Sequence, residues 1–146
     1  MSTAITSRVC AAQTMLPMSL RPPAPPAAVS LLARARRALT EASRETEPAE
    51  RFVAAYLAAH KSAAAVVAAR GRPHRGRARP ASVWVLLEAA VPELKEWALF
   101  FAANSATQAA LLSGTSRRPS AETADELFEQ SAQFLELARQ AVHGSS

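Results

Sequence analysis

The sequence predicts an all-α protein: an antiparallel bundle of four long helices and one short helix, preceded by a disordered, proline-rich N-terminal tail. Alanine, the best helix former, makes up about a quarter of the chain. Apolar residues recur at positions i, i+3, i+4 and i+7 in several stretches, which is the pattern of amphipathic helices. No stretch shows the alternation typical of a strand. We therefore expect one helical domain over residues 27–143, with tails over 1–26 and 144–146.

The first tail is predicted from its composition. Half of the ten prolines lie between Pro17 and Pro26, and such a segment favours an extended, solvated chain. Two alternatives stay open. One is that the segment is a ligand for a proline-binding groove. The other is that it lies upstream of a true translation start at Met15 or Met18.

The first two helices are predicted from Ala27 to about Glu45 and from Pro48 to Arg70. Proline suits the first position of a helix, where its missing N–H costs no hydrogen bond. His60 lies on the apolar side of the second helix. We interpret it as a core-edge histidine, because no acidic or nucleophilic residue lies three or four positions away; the alternative is a buried general base.

The stretch from Ser82 to Leu112 holds both tryptophans and the densest large apolar side chains. Pro92 cannot lie inside a helix without removing a hydrogen bond. The pattern thus predicts a short helix from Ser82 to about Ala90, a corner at Pro92, and a long helix to about Ser113. Gly114 is a suitable end for it.

The last helix is predicted to begin at Ser120 or Thr123 and to end at Gly144. Thr123 and Glu126 have the spacing of a capping box. Its outer face is acidic, which is typical of a solvated helix face.

The chain has a formal net charge of +5 and a pI of about 10.6, which favours polyanionic partners. The positive charge is concentrated in a predicted loop over residues 70–81, where glycine and proline interrupt the helical pattern. Arginine binds phosphate through a planar fork of donors, and no aromatic residue is interleaved to stack on bases. We therefore predict electrostatic, weakly sequence-specific contact with RNA through five arginines: Arg70, Arg72, Arg75, Arg77 and Arg79. The alternative is a solvent-exposed loop whose charge serves only solubility.

Other classes of site find no support in the sequence. The single cysteine, Cys10, permits no internal disulfide, and no cysteine–histidine cluster has zinc spacing. We expect no metal and no cofactor. No continuous apolar run approaches the ~20 residues of a membrane span. The prediction is a cytoplasmic protein without membrane contact.

Four segments resemble a HEPN domain, the higher eukaryotes and prokaryotes nucleotide-binding helical bundle, and more narrowly a small actinobacterial branch of that family. The most specific is SVWVLLEAAVPELKEWALFFA, residues 82–102. The others are LLARARRAL at 31–39 and the helical stretches 48–70 and 122–138. The resemblance implies an all-α bundle, frequent homodimers, and RNA cleavage or RNA binding in defence and toxin–antitoxin systems.

The resemblance also implies how an active member works. Active HEPN domains cut RNA with an arginine and a histidine separated by four to six residues. None of His60, His74 and His143 has an arginine at those places. Two pairs have three residues between them: Arg70 with His74, and Arg139 with His143. Of these, Arg139 and His143 are the candidates for catalysis, because the other pair straddles a glycine and a proline.

These observations leave three functional hypotheses. The first is a non-catalytic HEPN-like domain that binds RNA or another polyanion, or regulates a partner. The second is a homodimeric interaction or scaffold domain, in which the apolar faces around Trp84, Trp97 and Phe101 continue into the dimer. The third is a divergent, metal-independent ribonuclease that uses Arg139 and His143.

Overall fold

The computed structural model describes residues 23–71, 81–115 and 117–144. Within these ranges the chain forms helices and no strand, so the predicted all-α bundle is confirmed. Residues 1–22 of the predicted tail over 1–26, and the loop residues 72–80, lie outside the described residues. The helices are α1 (Pro26–Arg44), α2 (Pro48–Arg70), α3 (Val83–Ala90), a 3-10 turn (Pro92–Leu94), α4 (Lys95–Ala103), α5 (Ser105–Ser113) and α6 (Ala121–His143).

The helix ends follow local chemistry. The hydroxyls of Ser82 and Ser120 accept hydrogen bonds from backbone N–H groups three residues ahead and so cap α3 and α6. Of the two predicted starts of α6, Ser120 is thus the one used. Gly114 and Gly144 end α5 and α6 in the left-handed conformation, with φ of 75° and 64°, which glycine adopts without steric cost.

The segment after Pro92 differs in detail from the single long helix expected there. It begins with the 3-10 turn and is interrupted at Asn104, between α4 and α5. The Asn104 side chain donates to the carbonyl of Phe100 at 2.9 Å, and its backbone N–H donates to Phe101 three residues back. Asparagine competes in this way with the regular i to i−4 bonds, which explains the break.

Helix α2 is the centre of the bundle and packs against α1, α3, α5 and α6. Six of its nine buried side chains are alanine or serine, so neighbouring helices approach closely. Arg51 of α2 pairs with Asp125 near the start of α6, and Arg70 contacts Ala141 near its end. The two helices therefore run in the same direction, and both of their carboxyl ends lie at one end of the bundle.

In the described ranges α2 is also the one helix long and apolar enough to cross a membrane, but half of that window is buried inside the bundle. The core helix of a soluble bundle has the same length and hydropathy. The neighbours that cover α2 account for the buried half of its apolar window.

An aromatic cluster fills the space beside α2. Trp84 stacks on Phe101 with ring centroids 5.2 Å apart, and Trp97 stacks on Phe134 at 5.8 Å. The Trp84 indole N–H donates to the Tyr56 hydroxyl at 2.9 Å. These rings join α2, α3, α4 and α6, and they supply the large side chains that an alanine-rich core lacks.

Candidate functional site

An open cleft of about 720 Å³ lies at the end of the bundle where α2 and α6 terminate. The 3-10 turn after α3 and the residues just before α1 complete its walls. Its apolar lining includes Leu94 and Val142, and its polar lining includes Arg70, Glu93 and His143. The cleft thus brings together residues from four separate parts of the sequence.

Arg70 is the one predicted RNA-contacting arginine in the described part of the chain. Its side chain is exposed, and its Nη1 donates to the carbonyl oxygen of Ala141 at 3.2 Å. The next residue, Gly71, ends α2 and donates to Val67 O at 2.8 Å. A Cβ atom at Gly71 would lie 2.7 Å from that oxygen, so the close approach requires glycine. Arg70 is therefore held at the rim of the cleft, where the arginine-rich segment begins.

The other four arginines of that prediction lie outside the described residues, yet the sequence fixes their charge. Eleven of the seventeen basic residues and all twelve acidic residues lie in the described ranges, which gives those ranges a formal charge of −1. The remaining six arginines carry the whole positive excess: Arg8, Arg21, Arg72, Arg75, Arg77 and Arg79. The helical bundle is therefore not itself basic.

Arg139 and His143, the predicted catalytic pair, lie one turn apart on α6 and have different neighbours. The Arg139 guanidinium pairs with the Glu136 carboxylate one turn earlier, with Nη2 2.6 Å from Oε2. That hydrogen bond raises the pKa of Arg139 and lowers that of Glu136. His143 instead lines the cleft together with Arg70. Arg70 and His143 are 73 positions apart, so no short motif indicates that they line one cleft.

His60 lies at the edge of the aromatic cluster, as expected. Its ring is edge-on to Trp84, with centroids 5.9 Å apart, and tilted toward Tyr56 at 6.4 Å. Although the residue keeps exposed surface, burial of the ring lowers its pKa, and the charge of Lys61 lowers it further. No carboxylate in the described ranges pairs with it. This environment favours the neutral form of the imidazole.

The described residues contain no group of three or more His, Cys, Asp or Glu side chains that could hold a metal ion. What the cleft offers is a mixed surface of aliphatic walls, one carboxylate, one guanidinium and one imidazole. Apolar walls with a few polar groups are typical of a site that binds a ligand or a side chain.

Comparison with known proteins identifies a family. The model of the SAV_6107-like HEPN family matches residues 42–139, which is 98 of the 146 residues and spans everything from the end of α1 to the last turn of α6. No curated protein and no solved structure matches the chain. Coverage of that extent, on a helical bundle, assigns the fold family: the chain belongs to the SAV_6107-like HEPN family.

Proposed function

We propose that this HEPN domain is a cytoplasmic, non-catalytic module that binds RNA or a similar polyanion through the arginine-rich segment that follows α2. The proposal rests on the difference in charge between the helical bundle and this segment. The described bundle has a formal charge of −1, whereas residues 72–80 hold four arginines and no acid. Four guanidinium groups in so short a segment favour a phosphate backbone, because each contact releases counterions. The defence or toxin–antitoxin setting is the one that the family suggests.

Two observations favour binding without cleavage. The arginine–histidine spacing of active family members is missing at all three histidines. In addition, Arg139 is engaged by Glu136 and does not line the cleft to which His143 belongs. Both support a domain that retains RNA contact but lacks the pair of side chains needed for the reaction.

The experiment measures affinity for end-labelled single-stranded RNA as a function of salt. A variant replaces four arginines by glutamine: Arg72, Arg75, Arg77 and Arg79. For single strands the salt slope falls by about 0.7 per lost phosphate contact, so we expect the slope to decrease by roughly three units. A denaturing gel of the same reactions shows whether the RNA stays intact.

A matched control loses the same charge elsewhere. Four arginines of α1 are exposed and are replaced by glutamine in the control: Arg34, Arg36, Arg37 and Arg44. We expect the control to keep most of the affinity and of the salt slope. Equal losses in both variants would mean that only net charge matters and would remove the segment as the binding site. RNA cleavage that His143→Ala abolishes would instead establish the ribonuclease alternative.

A homodimeric scaffold is the second candidate, and exposed apolar side chains favour it. Trp84 and Phe101 are buried in the chain's own core, so they are not free to contact a second copy. Val85 and Leu99 lie on the same helices and are exposed by 59% and 49%. A dimer in sedimentation equilibrium that the double change Val85→Ser and Leu99→Ser dissociates, together with no RNA affinity, would favour this function.

A further inference from the structure

The residues that come just before the described chain are the nearest candidate for an occupant of the cleft. The described chain begins at Pro23, and Pro23, Ala24 and Pro25 form one wall of the cleft. Residues 17–22, Pro-Met-Ser-Leu-Arg-Pro, come directly before this wall. We propose that this segment docks into the cleft, with Leu20 against its aliphatic lining and Arg21 paired with Glu93.

The chemistry of the cleft fits a cationic, apolar segment. The carboxyl ends of α2 and α6 both lie there, and the dipole of each helix places partial negative charge at its carboxyl end. Glu93 is exposed at the rim and adds a full negative charge. Arg70, the cation already present, donates to the Ala141 carbonyl. Glu93 and the two helix ends therefore attract an incoming guanidinium, against the repulsion of Arg70 and of the arginines that follow it in the sequence.

The length of the segment is also suitable. Arg21 and Leu20 are two and three residues from Pro23, so their backbones reach at most about 7 and 11 Å beyond it. The cleft has a volume of about 720 Å³, which corresponds to a linear dimension comparable with these reaches. Four prolines between positions 22 and 26 restrict the backbone, which reduces the entropy lost on docking. Because the segment is tethered, its effective concentration is on the order of millimolar, and a weak contact suffices.

This inference concerns the cleft and does not depend on whether residues 72–80 bind RNA.

The test uses the full chain and its backbone amide NMR signals. We expect the double change Leu20→Ser and Arg21→Glu to shift the amide signals of Leu94 and Val142, because both residues line the cleft. The matched control makes the same two changes further upstream, Leu16→Ser and Arg8→Glu, and should leave those signals in place. If the amide signals of Leu94 and Val142 in the Leu20→Ser and Arg21→Glu variant stay at their wild-type positions, the proposal is overturned.

Two further measurements define the contact. If Arg21 pairs with Glu93, Arg21→Glu alone should move the cleft signals, and adding Glu93→Arg should move the Val142 signal back toward its wild-type position. Failure of this rescue would exclude the ion pair. The wild-type positions should also be unchanged over a twenty-fold range of protein concentration, since the contact is within one chain. Signals that move with concentration would assign the cleft to a second copy instead and overturn the intramolecular contact.

Discussion

The hydrogen bond between Trp84 and Tyr56 offers the sharpest test of how the core is organised. The indole N–H donates to the phenol oxygen at 2.9 Å, and the two residues are only 5% and 6% exposed. Tyr56→Phe keeps the ring and its packing but removes the only acceptor that the described residues provide for that N–H. The change therefore isolates one polar contact in an apolar surrounding.

The expected cost follows from leaving the donor unsatisfied. A buried polar group that loses its partner costs about 1–3 kcal/mol, whereas a hydrogen bond exchanged for one with water costs much less. For a chain of this size, a loss of about 2 kcal/mol lowers the Tm by roughly 4 to 8 °C. Trp84→Phe removes the donor as well, so the double variant should show a coupling free energy of about 1 kcal/mol.

Urea unfolding followed by tryptophan fluorescence measures these free energies, because Tyr56→Phe leaves both tryptophans in place. A destabilisation below about 0.5 kcal/mol with no coupling would refute the reasoning, since the indole N–H would then have another partner. Tyr56 is the only tyrosine, so tyrosinate absorbance gives an independent check. Burial raises the pKa of Tyr56 despite its hydrogen bonds with Trp84 and Ser105, and the phenol should therefore titrate above its ordinary value.

Three other predictions test separate features of the bundle. Ser120→Ala removes the cap of α6 and should cost about 1 kcal/mol in urea unfolding, whereas Ser30→Ala on the exposed face of α1 should cost far less. Ala59→Leu overfills a fully buried site in α2 and should cost about 1–3 kcal/mol; an equal cost for Ala68→Leu, at an exposed site of the same helix, would contradict close packing as the cause. Because burial lowers the pKa of His60, its contribution to stability is complete above the unfolded pKa of about 6.5 and is lost as the pH falls below it. His60→Gln should thus flatten the decline in unfolding free energy between pH 7 and pH 5, and parallel curves would contradict this.

Features that depend on neighbouring residues in the sequence were predictable. Pro48 and Pro92 mark helix starts because proline loses nothing in a first turn, and both have that position in the structure. Gly114 and Gly144 mark helix ends because the left-handed conformation is open to glycine. In each case a single residue and its own backbone determine the outcome, so periodicity and composition suffice.

Features that depend on packing were not predictable in the same way. The break at Asn104 arises because one amide side chain bonds to the turn before it, and the apolar pattern continues across the break. The cleft brings Arg70 and His143 together only because α2 and α6 run in the same direction. The sequence spacing favoured Arg139 as the partner of His143, and that pairing stays a prediction. In the structure Arg139 pairs with Glu136 three residues earlier.

The electrostatics of the cleft connect the two proposals. A phosphate group placed inside it would meet the carboxyl ends of two helices and the Glu93 side chain, all of which repel an anion. The positive charge of Arg70 offsets this repulsion only in part, since its guanidinium also donates a hydrogen bond to the Ala141 carbonyl. We therefore expect RNA to contact residues 72–79 and the outward side of Arg70, and the cleft itself to receive a cation. The consequence is testable with one variant: Glu93→Gln should weaken docking of the segment that contains Arg21, as seen in the cleft amide signals, while it leaves RNA affinity unchanged or slightly higher. A loss of RNA affinity in Glu93→Gln would mean that both ligands use one surface and that this division between cleft and segment is wrong.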